Sequence, residues 1–316
     1  MDSVSHFISC DWGTTNFRLR LVEAATLQII GEHKTNYGVK ECHAAFMAQT
    51  SLGRQEFYLN YLEGEIEKLP KDFGNLPIVT SGMASSNLGL KELPYAALPF
   101  GNKGARLICE KMLLKDGQTL LLVSGVRSKT GMMRGEEVQA MGLEDHLSPY
   151  KEGTLLLPGT HSKHISYRNG NFYALKNFMT GELFEVLMNK SILTNSIEFE
   201  MLDSDGKNAF LEGFNWGFKN GLTPNLLTIR TMHVVEDMGT KGNYFRLSGL
   251  LIGDELSYLG DVGKYVFLAA SKHIFELYKM GLETFVPSDK LILLEDTILE
   301  RALLIGQRKM LLLHAK

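Results

Sequence analysis

Short apolar runs separated by polar, glycine-containing turns open the chain. Phe7, Ile8 and Cys10 lead into Asp11, and Phe17, Leu19, Leu21 and Val22 leave the far side of the turn Trp12-Gly13-Thr14-Thr15-Asn16. This predicts strands over 7–11 and 17–23 joined by a hairpin. A third strand over 27–33 and a helical region over about 43–69 follow, with Leu52-Gly53 as a break and Pro70 as the stop. Leu76–Thr80 and the apolar run 119–126 read as buried strands. The pattern then returns over 153–190: strand, Gly-Thr turn, strand, Arg-Asn-Gly turn, strand, and a helix over 181–190. Helices are predicted over 205–222 and 243–260, a strand over 265–271 entering a helix at Lys272, and an amphipathic helix over 297–314.

Two β-β-β-α units in one chain predict a pair of related α/β domains with a cleft between them, drawn here as 1–133 and 134–316. The turns carry the candidate chemistry. Gly13 lets the backbone approach a ligand, and Thr14, Thr15 and Asn16 offer donors suited to an anion. Asp11 alone would repel a phosphate, but it suits a hydrated Mg²⁺ held between carboxylate and phosphate. A plain hairpin uses the same residue types for conformational reasons. Recurrence at Pro158-Gly159-Thr160-His161-Ser162-Lys163 favours two turns gripping the phosphates of one nucleotide.

Three further segments stand out. Ser81–Asn87, including Ser86 and Asn87, follows a buried strand at the end where open α/β sheets bind ligands, and Lys91 and Tyr95 lie just beyond. Arg134-Gly135-Glu136-Glu137 reads as a helix start with acidic residues in the first turn; alternatively one carboxylate is a general base beside an anion-holding arginine. Thr180 is either the cap of the helix over 181–190 or a ligand contact. In Ser248–Leu256 the glycines Gly249 and Gly253 suit close helix packing or close approach to an adenine.

The motifs DWGTT, TSGMASSNLGLKELPY, MRGEEVQ, LLPGTHSKH, FMTGEL and SGLLIGDEL, in that order, closely resemble the 2-dehydro-3-deoxygalactonokinases of the actin–hexokinase–Hsp70 ATPase superfamily. The resemblance is strong over about 7–260 and weaker beyond. It implies an α/β fold of two actin-like (ribonuclease H-like) domains with mixed sheets, with ATP and Mg²⁺ as cofactors. It implies transfer of the γ-phosphoryl group to the 6-hydroxyl of 2-dehydro-3-deoxy-D-galactonate. On it, Asp11 serves the metal, and Gly13, Thr14, Thr15, Asn16, Gly159, Thr160 and His161 serve the phosphates. Gly253 and Ala270 lie at the nucleoside, where Ala270-Ser271 replaces the glycine-containing pair of relatives. Arg18, Ser86, Asn87, Lys91, Arg134 and Lys163 are candidates for the sugar acid. Laid on the Gly-Asp segment of related sugar kinases, Gly135-Glu136 makes Glu136 the base, with Glu137 the second candidate.

Composition narrows the alternatives. The net charge of -3 over 316 residues leaves no basic field for nucleic acid or a membrane surface. Cys10, Cys42 and Cys109 are too few and too scattered for a disulfide framework or zinc site, as expected of a cytoplasmic protein. There is no Walker A sequence and no protein-kinase signature, so the phosphates fall to the hairpin turns. Kinases of other sugar acids and a non-catalytic sugar sensor on the same fold are the rival readings. Monomer and homodimer both remain open.

Overall fold

The computed structural model describes residues 4–71, 73–101, 103–104, 106–237, 239–260 and 263–314. They form two compact units. The first comprises the chain up to Lys151, the short stretch Arg168–Leu175 and the segment from Thr297 onward; the second comprises Glu152–Tyr167 and Lys176–Asp296. The boundary drawn at 133/134 therefore falls inside the first unit.

In the first unit β1 (His6–Trp12), β2 (Phe17–Glu23) and β3 (Ile29–Thr35) form an antiparallel meander. Helices α1 (Val39–Met47) and α2 (Arg54–Ile66) follow, separated at the break expected near Gly53, which is the N-cap residue of α2. The next strands are β4 (Ile78–Gly82), β5 (Ala96–Ala97), β6 (Phe100–Gly101), β7 (Cys109–Leu113), β8 (Thr119–Val123), β9 (Val126–Arg127) and β10 (Met132–Met133). The main sheet runs β3-β2-β1-β4-β8-β7, with β1, β4 and β8 parallel. Its centre is apolar on both faces, as a covered parallel core requires: every residue of β4 is buried, whereas the β3 edge has none that is. Trp12 and Phe17 of the hairpin and Tyr58 and Leu62 of α2 are fully buried in one apolar cluster. Each such side chain stabilises the unit by roughly 1.5–3 kcal/mol relative to exposure. Helices α3 (Glu136–Gly142) and α4 (Glu144–Leu147) close this part of the chain.

The meander recurs in the chain as β11 (Glu152–Leu157), β12 (Ser162–Arg168) and β13 (Asn171–Phe178), of which the hairpin Arg168–Leu175 is grouped with the first unit and the rest with the second, and α5 (Thr180–Lys190) follows. Helices α6 (Ser204–Asn220), α7 (Leu226–Val234) and α8 (Thr240–Leu256) come next. Asp203 caps α6 by accepting the Gly206 N–H at 2.8 Å. Then β14 (Tyr265–Ala269), α9 (Lys272–Leu282) and β15 (Leu291–Leu294) complete the sheet, with β11, β14 and β15 parallel. Gly253 faces α6, where a Cβ would lie 2.2 Å from the Phe214 carbonyl oxygen. Its role is close helix packing, and the alternative of backbone approach to an adenine is set aside.

Finally α10 (Asp296–His314) belongs, from Thr297, to the first unit. It packs so tightly on α3 that a Cβ on Gly142 would meet the Ala302 carbonyl oxygen at 1.8 Å and one on Gly306 the Val138 carbonyl oxygen at 2.0 Å. These contacts hold α3 within the first unit.

Candidate active site

In the first unit three chain segments meet at the ends of β1 and β4. Asp11 ends the apolar part of β1 and pairs across the hairpin with Arg18, while Trp12 pairs with Phe17. Gly82 closes β4 at φ +93°, and Gly135 precedes α3 at φ +113°. Both lie in the region that favours glycine. A Cβ on Gly82 would come within 2.8 Å of the Trp12 carbonyl oxygen, and one on Gly135 within 3.3 Å of the Gly82 Cα. Burial pushes the Asp11 carboxyl above its ordinary range; Arg18 and Arg20 oppose that shift and the Glu136 charge adds to it. Asp11 and Glu136 thus share one electrostatic environment.

The two glutamates of α3 differ sharply. Glu137 is 0% exposed, and both its carboxyl oxygens accept the Gly135 N–H, at 2.9 and 2.8 Å. Burial first and the Glu136 charge second push its pKa up to about 8. Glu136 is only partly buried and accepts the Arg134 N–H through Oε2 at 2.9 Å. Glu137 therefore braces the turn, and Glu136 is the carboxylate open to solvent.

Arg134 is held in place before any ligand arrives. Its guanidinium donates to the Ser85 carbonyl and, at 2.6 Å, to the Ser85 hydroxyl, and it lies 4.1 Å over the Tyr95 ring. Ser85 itself is fully buried. The Ser85 and Tyr95 contacts are not legible in the sequence, because they depend on a loop folded back by Ser86 N–H to Met83 O and Leu93 N–H to Ser85 O, both at 3.0 Å. Among the other candidates of that loop, Asn87 is exposed and Ser86 is buried, accepting the Leu88 N–H at 3.3 Å. Lys91 is ion-paired with Glu110. Arg18 pairs with Glu300 of α10 at 3.2 Å, a partner supplied from 282 residues away.

The first turn is templated by a helix start. Val39 and Lys40 donate their N–H groups to the carbonyls of Gly13 and Thr14 at 2.9 and 3.0 Å, and Gly38 donates to Thr15 at 3.2 Å. With those carbonyls occupied, Thr14, Thr15 and Asn16 stand exposed. Among the described residues no backbone acceptor takes the Thr14 or Thr15 N–H. Gly38 is required, since a Cβ there would lie 2.3 Å from the Thr14 carbonyl oxygen. Behind the turn Gln307 of α10, fully buried, donates to the Cys10 carbonyl at 3.1 Å and the Ser81 hydroxyl at 3.0 Å. It ties together the ends of β1 and β4.

In the second unit Gly159, Thr160 and His161 join β11 to β12, and the start of α5 again seats on the turn. Glu182 N–H donates to the Thr160 carbonyl at 3.1 Å, and a Cβ on Gly181 would lie 2.7 Å from the Gly159 carbonyl oxygen. Lys163 is buried and donates to the His161 carbonyl at 2.5 Å, so it braces this turn. Thr180 does not cap α5: its hydroxyl donates to the buried Glu255 carboxylate, which also receives Tyr278 at 2.7 Å and pairs with His164 at 2.7 Å. A largely apolar pocket adjoins the turn, lined by Gly159, Thr180, Phe184, Tyr244, Ser248 and His273 among others. Ala270 is buried in the apolar core and does not line it. The helices expected at the nucleoside do contribute, but through the α8 face carrying Tyr244, Ser248 and Ile252 rather than the glycine face.

The family model described as 2-keto-3-deoxy-galactonokinase matches residues 11–304. A protein of Rhizobium meliloti, described as a probable 2-dehydro-3-deoxygalactonokinase, is 26% identical over 90% of this chain and 91% of its own. The 2-dehydro-3-deoxygalactonokinase of Escherichia coli K12 is 27% identical over 81% of each. A crystal structure from Sinorhizobium meliloti, of a protein described as a 2-dehydro-3-deoxygalactonokinase, shares the fold with a TM-score of 0.79, 23% identity and 96% coverage of both chains. A matched span that takes in both hairpin turns, the Arg134–Glu137 segment and the first half of α10 places this chain in the 2-keto-3-deoxy-galactonokinase family, ATP-dependent sugar-acid kinases.

Proposed function

We propose that this chain transfers the γ-phosphoryl group of ATP to the 6-hydroxyl of 2-dehydro-3-deoxy-D-galactonate, with Glu136 as the general base. The observation that carries the assignment is the contrast within α3. Glu137 is enclosed and committed to Gly135, while Glu136 is partly exposed and close enough to Asp11 to raise its pKa. A base must reach the proton that it removes. Phosphoryl transfer otherwise asks for positioning and charge neutralisation.

Asp11 is suited to Mg²⁺ through water. A carboxylate pushed up by burial and by a second carboxylate gains from a cation, and Mg²⁺ commonly takes one or two carboxylates and completes its shell with water and phosphates. When bound, the metal would neutralise charge on the transferring phosphate. Thr14, Thr15 and Asn16 of the first unit and Gly159, Thr160 and His161 of the second are assigned to the phosphates, and the pocket beside Gly159 to the nucleoside. Arg134, fixed over Tyr95 with Nη1 donating to Ser85 and Nε to the Tyr95 hydroxyl, is assigned to the carboxylate of the sugar acid, whose charge its guanidinium would neutralise. Asn87 is exposed on the neighbouring loop. Lys91, engaged with Glu110, is assigned a supporting role.

The test is an ADP-release assay with MgATP against a panel of 2-keto-3-deoxy sugar acids and hexonates, run on the wild type, Glu136→Gln and Glu137→Gln. Turnover concentrated on the galactonate derivative and lost in Glu136→Gln supports both substrate and base. Turnover on another acid overturns the substrate assignment, and an unimpaired Glu136→Gln overturns the base.

A further inference from the structure

Glu182, the third residue of α5, holds the second turn in two ways. Its backbone N–H donates to the Thr160 carbonyl at 3.1 Å, and its carboxylate oxygen Oε2 lies 2.5 Å from His161 Nε2. Both side chains are about half exposed, 51% for His161 and 44% for Glu182, so this ion-pair geometry lies at the surface of the turn and not in the core. Gly181 seats the helix start directly on Gly159 and Thr160. One end of Glu182 thus sets the backbone of the turn while the other sets the plane of the imidazole.

We propose that Glu182 is a positioning residue for ATP, acting through His161. The inference rests on the kinase reading above, in which the second turn takes the phosphates. A carboxylate on one ring nitrogen fixes the orientation of a histidine and leaves the other nitrogen for a ligand. An unanchored side chain on an exposed turn would have to be ordered on each binding event, at a cost in affinity. The negative charge of Glu182 sits against His161, so the arrangement presents the anion with a ring held by its partner rather than a bare carboxylate.

The experiment measures binding of a non-hydrolysable ATP analogue with Mg²⁺ by calorimetry, and KM for ATP and for the sugar acid separately. The proteins are the wild type, Glu182→Gln, Glu182→Ala, His161→Gln and the double variant His161→Gln/Glu182→Gln, with thermal midpoints as the control for folding. Glu182→Ala is expected to weaken nucleotide binding about 2–10-fold, the range for having to order one freed side chain on binding, and to raise KM for ATP while KM for the sugar acid stays put. In the His161→Gln background the Glu182→Gln change is expected to add less than about twofold, because its partner is already gone. Additive effects, or equal rises in both KM values, would overturn the inference. So would a lowered midpoint with unchanged nucleotide affinity. A wild type that binds no nucleotide would remove the kinase reading itself, an outcome distinct from binding that Glu182 does not influence.

Discussion

The two Gly-Thr hairpins share a plan and differ in charge. In each, a strand ends in a turn, the chain returns through two more strands, and a helix start seats on the turn through a glycine: Gly38 on Thr14 and Thr15, Gly181 on Gly159 and Thr160. The first turn follows a carboxylate, Asp11, whose neighbours include Arg18, Arg20 and Glu136. At the matching place the second has Leu157-Pro158, and its ionisable groups are His161 and Glu182, side by side on the surface, with Lys163 buried against the His161 carbonyl. One copy of the unit is suited to a cation, the other to an oriented imidazole. The duplicated backbone supplies the same donor-rich turn twice, and the side chains around it divide the work.

The largest expected effect concerns the carboxylates beside the first turn. Glu136→Gln should lower kcat by ~10²–10⁴-fold, the range for loss of a general base. Glu137→Gln, which keeps an acceptor for the Gly135 N–H, should lower it far less. Comparable losses in both would erase the distinction between base and brace. Next, Asp11→Asn should raise the Mg²⁺ concentration needed for half-maximal rate at fixed ATP; removing His161 should leave that requirement unchanged. A metal titration of the two variants separates the charge roles of the two turns.

Smaller effects test the shared plan. Gly38→Ala and Gly181→Ala should each cost roughly 1–3 kcal/mol of stability by overpacking. Gly38→Ala should be the worse, since its Cβ would lie 2.3 Å from backbone against 2.7 Å for Gly181. Denaturant midpoints give the order, and the reverse order would mean that the second turn is the more rigid. The most graded effect is on pH. Glu137 has a folded pKa of about 8, raised above an unfolded value near 4.5. Its contribution to stability is therefore fully present below pH 4.5 and lost as pH rises through about 8. A urea midpoint followed from pH 5 to 9 should fall, and should fall less in Glu137→Gln.

Local pattern carried much of this. The meanders, the break before α2, the extent of α6 and the strand–turn–strand units follow from period and turn chemistry, which act over a few residues. The Asp11 turn and its exposed Thr14, Thr15 and Asn16 follow from the same local chemistry, whereas the choice of Glu136 over Glu137 came from the resemblance to related sugar kinases. What escaped depends on distant partners. Arg18 looks available in sequence, yet Glu300 engages it from 282 residues away. Lys163 looks like a surface lysine of a turn, yet it is buried against the His161 carbonyl. Gly253 faces inward because helix rotation decides which side of α8 meets α6, and Ala270, between β14 and α9, is buried in the apolar core. The boundary at 133/134 misses the tie between α3 and α10, which no local signal announces. Thr180 has the side chain of a cap, but Glu255, a buried carboxylate in need of donors, draws its hydroxyl away.

The placement of α10 bears on how the protein is made. Gln307, which joins the ends of β1 and β4, leaves the ribosome only after all of Glu152–Asp296 has been synthesised. The second unit's sequence is available in full while the first still lacks its fastener. During translation the Asp11 and Gly82 ends therefore wait, unclamped, behind a neighbour whose chain is already complete.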